Sequence, residues 1–114
     1  MDGEQATQKL LTIAEKNKDP EIRKDAIFWL SQNSDSDEVV QALQKYVLND
    51  NDAGVQEKAV FALSQLDNNR GVPILIDIAK NSKDVRIRKK AIFWLGQSDD
   101  ERASEALEEI LYQK

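Results

Sequence analysis

The pentapeptide AIFWL occupies residues 26–30 and recurs unchanged at residues 91–95. Between the two copies the chain reads AVFAL at residues 59–63, which is the same motif with Ala62 in place of the tryptophan. The copies begin at residues 26, 59 and 91, so their spacings are 33 and 32 residues. A period of this length is typical of proteins built from stacked copies of one supersecondary unit.

The similarity between the copies extends upstream to an aspartate. Asp19, Asp52 and Asp84 each lie seven residues before the repeated motif. An aspartate carboxylate can accept hydrogen bonds from the free N–H groups at a helix start, and a proline such as Pro20 is well tolerated at the first helical position. Each aspartate therefore predicts the start of a helix that contains the motif.

Each unit continues into a second helix after a polar break. Within the first helix of the first unit, one stripe at the helical period holds Ile22, Ala26, Trp29, Leu30 and Asn33, so we expect both Trp29 and the equivalent Trp94 to be buried between helices. Breaks rich in turn-forming residues fall at 33–37, 66–71 and 97–100. The second helices align through Val40, Leu43, Tyr46 and Val47, then Val72, Leu75, Ile78 and Ala79, then Ser104, Leu107, Ile110 and Leu111, and the N-terminal segment fits the same register through Leu10, Ile13 and Ala14.

The repeats predict an all-α protein, an alpha–alpha superhelix of about three and a half helical-hairpin repeats. We expect seven helices of about 11–15 residues each, which is an ordinary helix length. The predicted domain organisation is a half repeat at residues 1–18 followed by repeats at 19–51, 52–83 and 84–114.

Composition narrows the range of functions. The 114 residues contain no Cys and no His, which removes thiolate chemistry, the commonest general base and the commonest transition-metal ligand. We therefore expect no catalytic residues, no cofactor and no metal site. No apolar run of about 20 residues exists to span a membrane, and the polar N-terminus is unlike a signal peptide, so a soluble cytoplasmic protein is the default expectation.

The aligned units resemble a known repeat family. DPEIRKDAIFWLSQ followed by VVQALQKYV, and DVRIRKKAIFWLGQ in the last unit, are similar to HEAT repeats in their short bacterial form, related to phycobilisome-lyase-type repeats. The resemblance implies a superhelix whose second helices line a concave binding face. It also implies a scaffold or regulatory role, with chromophore lyases and DNA-repair enzymes as rarer alternatives within the family.

The concave face is the predicted site of function. By register, its outward positions are Gln8, Thr12 and Glu15, then Gln41, Lys45 and Leu48, then Pro73, Asp77 and Lys80, then Glu105, Glu109 and Tyr112. This mixture suits a protein or peptide partner better than a catalytic pocket. From it we select seven partner-binding candidates: Gln41, Lys45, Asp77, Lys80, Glu105, Glu109 and Tyr112. We expect a monomer that acts as an interaction scaffold and not as an enzyme, with end-to-end association as the alternative state.

Three further clusters allow more than one interpretation. Phe28, Phe61 and Phe93 form a row that is either a convex hydrophobic ridge for a partner or a packing contact between units. The basic residues Lys83, Arg86, Arg88, Lys89 and Lys90 could bind a phosphate backbone, although the sequence pI of about 4.8 favours a solvated face paired with acids such as Asp52 or Asp99. Glu101, Glu105, Glu108 and Glu109 could in principle do acid–base work or hold Ca²⁺, but their spacing favours a solvated acidic wall.

Overall fold

The computed structural model describes residues 3–33 and 36–112, and in these residues all regular structure is helical. The helices are α1 (Gly3–Lys16), α2 (Pro20–Asn33), α3 (Asp37–Asn49), α4 (Ala53–Ser64), α5 (Val72–Asn81), α6 (Val85–Gly96) and α7 (Glu101–Tyr112). A 3₁₀ turn at Asp67–Asn69 lies between α4 and α5. The described residues thus contain the seven α-helices that the sequence predicts, in the order expected of an alpha–alpha superhelix.

The predicted aspartate caps are present. The carboxylates of Asp19, Asp52 and Asp84 accept hydrogen bonds from the backbone N–H groups of Glu21, Val55 and Arg86 at 2.9, 3.0 and 2.9 Å. Each cap residue is itself fixed by a side chain two residues earlier. Asn17, Asp50 and Ser82, which are equivalent positions of the repeat, accept the N–H of the cap aspartate. This two-step turn starts α2, α4 and α6 at the same point of each unit.

The helices form two rows. The first helices, α2, α4 and α6, pack side by side, and the second helices, α1, α3 and α5, each lie closely along the first helix that follows. The core between the two rows is aliphatic, and burial of each large side chain in it stabilises the fold by about 1.5–3 kcal/mol. Its largest fully buried members are Ile27, Leu30, Leu43, Leu63, Leu75 and Leu95.

The turn between α4 and α5 depends on one glycine. A Cβ atom placed on Gly71 would lie 1.9 Å from the backbone oxygen of Leu63, so no larger residue fits without moving the backbone. Asn68 and Asn69 adopt left-handed φ values of 59° and 56°, a conformation that asparagine tolerates better than most residues. The polar break at residues 66–71 is therefore a tight, specific turn.

A buried ion pair fastens α2 to the end of α3. The Nε and Nη2 atoms of Arg23 donate to the two carboxylate oxygens of Asp50, both at 3.1 Å, and Nη1 donates to the backbone oxygen of Asn17 at 2.8 Å. The two side chains are only 10% and 9% exposed. Asp50 also accepts the N–H of the cap residue Asp52, so one carboxylate joins three segments of the chain.

The buried stripe of α2 differs from the one expected. Arg23, Ala26, Ile27, Leu30 and Ser31 are buried, whereas Ile22 is 43% exposed, Trp29 is 52% exposed and Asn33 is exposed. The prediction that Trp29 fills a gap between helices is wrong. Trp94, at the equivalent position, is half-buried because α4 lies beside it, and no first helix among the described residues lies beside Trp29.

The register predicted for the last helix is also wrong. Ala103 and Ala106 are buried in α7, Leu107 and Ile110 are half-buried, and Ser104 and Leu111 are exposed. The buried stripe of α7 therefore begins at Ala103, one residue before Ser104, where the alignment of the repeats placed its start. Small side chains at Ala103 and Ala106 let α7 approach α5 and α6.

Candidate protein-interaction surface

The outward side chains of α1, α3, α5 and α7 form one face, which we call the second-helix face. Neighbouring second helices are joined across it by polar contacts. The Gln8 amide donates to Glu38 at 2.7 Å, and Lys45 pairs with Glu15 at 3.3 Å, so α1 is tied to α3. Lys80 pairs with Glu109 and so ties α5 to α7. Exposed pairs of this kind contribute about 0.2–1 kcal/mol each, so they organise the face more than they stabilise the fold.

The row of second helices is interrupted between α3 and α5. Asp37 at the start of α3 pairs with Arg70 in the turn just before α5. At the C-terminal ends of the two helices the described residues form no such pair, and a cleft of about 400 Å³ opens there. We call it the α3/α5 cleft. It is lined by Val47 and Leu48 of α3, Gln56 of α4, Asp77, Ile78 and Asn81 of α5, the connecting residues Ser82, Lys83 and Asp84, and Ile87 of α6.

The α3/α5 cleft combines an apolar wall with a polar edge. Leu48 is 65% exposed at its rim, while Val47, Ile78 and Ile87 are buried behind it. On the opposite side the Asp77 carboxylate accepts a hydrogen bond from the Asn81 amide at 2.8 Å and remains exposed. Such a combination of exposed apolar surface and a few polar groups is typical of sites that bind a peptide or another protein.

The seven predicted binding residues all occupy exposed positions, but they do not form one cluster. Asp77 lines the α3/α5 cleft, Lys80 is engaged with Glu109, and Lys45 is engaged with Glu15. Glu105, Glu109 and Tyr112 line a shallow depression on α7 together with Glu108. Their role in binding stays a prediction.

Tyr46 lies beneath the polar contacts between α1 and α3. Its hydroxyl donates a hydrogen bond to the backbone oxygen of Leu11 at 3.4 Å. Burial raises the pKa of the Tyr46 phenol to about 12, and the nearby carboxylates of Glu15 and Glu38 act in the same direction. The phenol is therefore neutral at physiological pH and serves as a packing and hydrogen-bonding group.

The basic residues of α6 are mostly engaged within the protein. Arg86 and Lys90 pair with Glu57 of α4 at 2.6 and 3.6 Å, and Arg88 donates to the backbone oxygen of Ser82. Arg86 also pairs with Asp84, so Glu57 and Asp84 are the acidic neighbours, and the expectation that Asp52 or Asp99 would pair with this cluster is wrong. The side chains of Lys83 and Lys89 take part in no ion pair or hydrogen bond among the described residues.

Two members of the phenylalanine row, Phe28 and Phe61, pack between first helices, as the packing interpretation expected. The rings of Phe28 and Phe61 are stacked with centroids 6.5 Å apart, and the Lys58 ammonium lies over both. Phe61 in turn meets the edge of Trp94 at 5.2 Å. The third member, Phe93, is 54% exposed because no described helix lies beyond it.

Acidic residues on α7 do not converge on a site. In the part of the chain that the structure describes, no group of three or more His, Cys, Asp or Glu side chains could hold a metal ion.

None of the described helices is both long and apolar enough to cross a membrane. The Asp100 carboxylate caps α7, and its hydrogen bonds from the side chain and backbone of Arg102 lower its pKa.

Sequence reasoning missed most of the α3/α5 cleft. Its buried wall, Val47, Ile78 and Ile87, was correctly assigned to the core, but nothing in the repeat indicated that α3 and α5 separate at this point. The signal that was available is Leu48, a large apolar residue at a register position where the neighbouring second helices carry Glu15 and Lys80.

A family model described as HEAT repeats matches the chain twice, over residues 7–93 and over residues 47–114. The two matches overlap and together include every helix described above, apart from the first turn of α1. No curated protein and no solved structure matches the chain.

Proposed function

Because the chain belongs to the HEAT-repeat family, we propose that it is a protein-interaction module that binds a protein or peptide partner on its second-helix face. HEAT repeats are commonly interaction scaffolds. The observation that carries the proposal for this chain is the α3/α5 cleft, an opening of about 400 Å³ whose lining includes the exposed side chains of Leu48 and Asp77.

The rest of the second-helix face supports this assignment by its chemistry. Lys45 is paired with Glu15, and Lys80 is paired with Glu109, so these residues offer a polar surround and not strong anchors. A partner gains most where apolar surface is removed from water, and at the α3/α5 cleft the exposed apolar side chain is Leu48. We expect a peptide with an apolar anchor for the cleft and a basic group near Asp77.

The proposal includes no catalytic step by this chain. A catalytic site needs a nucleophile, an acid or a base held next to a group that activates it. On the second-helix face the carboxylates of Glu15, Glu38 and Glu109 are instead paired with Lys45, Gln8 and Lys80 of neighbouring helices. Binding and alignment of a partner are the activities that such a surface performs.

The experiment compares two identical charge reversals at different places. Asp77→Lys changes the edge of the α3/α5 cleft, and Asp25→Lys makes the same change on an exposed position of α2. Proteins that co-purify with the tagged chain from its source cells are identified and quantified for each variant, with Leu48→Glu as a second change in the cleft. We expect both cleft variants to reduce the captured partner at least tenfold and Asp25→Lys to have little effect.

Circular dichroism checks that each variant keeps its helix content. The proposal fails if Asp77→Lys and Leu48→Glu capture the same partner as the unchanged protein. It also fails if Asp25→Lys removes the partner and the two cleft variants do not, because the first-helix row would then be the binding surface.

A further inference from the structure

The turn inside one unit lies next to the turn inside the following unit, and an arginine bridges the first such pair. The Arg70 guanidinium pairs with the carboxylate of Asp37 at the start of α3. Asn69 follows Asp37 at the repeat spacing of 32 residues, so a neutral amide stands where the next bridge would need a carboxylate. Arg102 at the start of α7 is instead paired with Asp100 at 2.8 Å. The second pair of turns therefore lacks the bridge.

Two more departures from the repeat occur beside the second pair of turns. Ser31 and Ser64 each accept a hydrogen bond from the amide of the glutamine that follows them. The third unit has Gly96 at this position, so Gln97 has no hydroxyl to which it could donate, and a Cβ atom on Gly96 would have no neighbour within 4 Å. Trp94 also brings an indole to a position where the middle unit has alanine.

A pocket of about 330 Å³ is present at this place, between α4, α5, α6 and the turn that leads into α7. We call it the turn pocket. Its buried lining residues, Leu63, Val72 and Leu75, are aliphatic, and the indole of Trp94 adds an aromatic surface. The turn pocket lies between two adjacent units, so its opening does not depend on what precedes α1 or follows α7.

The polar side chains around the turn pocket have unused hydrogen-bonding groups. Asn69, Gln97 and Asp99 are exposed, and among the described residues their side chains form no hydrogen bond or ion pair. The Gln65 amide donates to Ser64 at 3.1 Å, which leaves its carbonyl oxygen as a further acceptor. Among the lining residues, all of which the structure describes, only Asp99 is charged. The turn pocket thus combines several acceptors and one negative charge with an apolar base.

We propose that the turn pocket binds an arginine side chain of a protein partner. A guanidinium has five N–H donors in one plane, which suit the carboxylate of Asp99 and the amide oxygens of Asn69 and Gln97. The aliphatic stem of an arginine can cover the apolar base, and an indole such as that of Trp94 is a favourable neighbour for a cation. The partner would thereby supply, at the second pair of turns, the kind of cation that Arg70 supplies at the first.

The turn pocket is separate from the α3/α5 cleft. The cleft opens at the C-terminal ends of α3 and α5, whereas the turn pocket lies at the start of α5, and no residue lines both. A partner that inserts an arginine into the turn pocket would gain a contact outside the second-helix face. Binding at the two places can therefore be measured independently.

The test titrates the blocked tripeptide acetyl-Gly-Arg-Gly-amide into the isotope-labelled intact chain and follows it by NMR. We expect saturable shifts of the indole N–H of Trp94 and of the side-chain amides of Asn69 and Gln97. Citrulline in place of the arginine keeps the shape and removes the charge, so it should weaken binding about tenfold or more. Asp99→Asn should weaken binding of the arginine peptide to a similar extent. Asp25→Asn, the same change on exposed α2, is the matched control and should have no effect.

Three results would overturn the inference. The first is the absence of saturable shifts at Trp94 up to about 10 mM peptide. The second is equal binding of the arginine and citrulline peptides, or equal binding by the Asp99→Asn protein. The third is a set of shifts confined to Leu48 and Asn81 that disappears in Asp77→Asn, which would place the arginine in the α3/α5 cleft and leave the proposed function intact. Undiminished partner capture by Leu48→Glu would, conversely, contradict the proposed cleft and not the turn pocket.

Discussion

Replacing Asp50 by Asn removes a charge and leaves the shape of the side chain nearly unchanged. The carboxylate that it removes accepts two hydrogen bonds from the Arg23 guanidinium at 3.1 Å. An asparagine can still accept one of them and can still accept the backbone N–H of Asp52. The substitution therefore tests the buried charge itself.

The expected cost follows from the burial of the pair. With the side chains 10% and 9% exposed, Arg23 would keep a positive charge that neither water nor a carboxylate compensates. Removing one partner of a buried pair typically costs about 3–5 kcal/mol. A chain of this length is stable by roughly 6–17 kcal/mol, so we expect the thermal midpoint to fall by about 10–20 °C.

Urea unfolding followed by circular dichroism measures the loss. Lys45→Met is the control, because it breaks the exposed pair with Glu15, whose side chains are 57% and 50% exposed, and should cost less than about 1 kcal/mol. A double-mutant cycle with Arg23→Met should give a coupling of about 2–3 kcal/mol. A cost below about 1 kcal/mol for Asp50→Asn, similar to that of the control, would refute the reasoning.

Three further predictions rest on single contacts. Gly71→Ala should lower the free energy of unfolding, measured in urea, by about 2 kcal/mol or more, because the new Cβ meets the Leu63 backbone. Gly96→Ala has open space around it and should be neutral or slightly stabilising. Equal effects of the two changes would contradict the turn geometry. Trp94→Ala should cost about 2–3 kcal/mol and Trp29→Ala about 1 kcal/mol or less, and the reverse order would contradict the difference in their burial. Tyr46 has a folded pKa of about 12 against an ordinary 10, so its contribution to stability is complete below pH 10 and is lost as the pH rises towards 12. Between pH 9 and 11 the free energy of unfolding of the unchanged protein should therefore fall by about 1 kcal/mol more than that of Tyr46→Phe. An equal fall would contradict the burial of the phenol.

Local features of the fold could be predicted because the signals are local. The capping carboxylates of Asp19, Asp52 and Asp84, and Pro20 at the start of α2, act within a few residues of where they stand in the sequence. The repeat then predicts the stacking, since each unit buries its apolar face on its neighbours. The period of the repeat was therefore enough to predict the all-α superhelix.

Burial at the ends of the array could not be predicted in the same way. Trp29 and Trp94 have the same sequence context, but Trp94 faces Phe61 of the preceding first helix and Trp29 faces no described helix. An alignment of units assigns both the same environment, because it contains no information about which neighbours exist. The exposure of Phe93 has the same origin.

The candidate site was predicted only in part, for a different reason. The outward positions of the second helices follow from the helical period, but the width between α3 and α5 depends on how the turns on either side of α4 orient those helices. The Arg23–Asp50 pair likewise joins residues 27 positions apart. Arg88 repeats Arg23 in the sequence, but Asn17 and Ser82 stand at the positions equivalent to Asp50, so the repeat does not indicate an ion pair. Side-chain spacing along one helix cannot report distances that several turns determine together.

The central claim, that a partner binds at the α3/α5 cleft, is tested most directly by site-specific photo-crosslinking. A photoreactive residue is placed at position 48, at the rim of the cleft, or at position 25, on an exposed part of α2, and the protein is irradiated in extracts of its source cells. We predict that one protein or peptide is crosslinked reproducibly from position 48 and not from position 25, and that Asp77→Lys abolishes this crosslink. Crosslinking of the same partner from position 25 alone, or an undiminished crosslink in the Asp77→Lys background, would contradict the account.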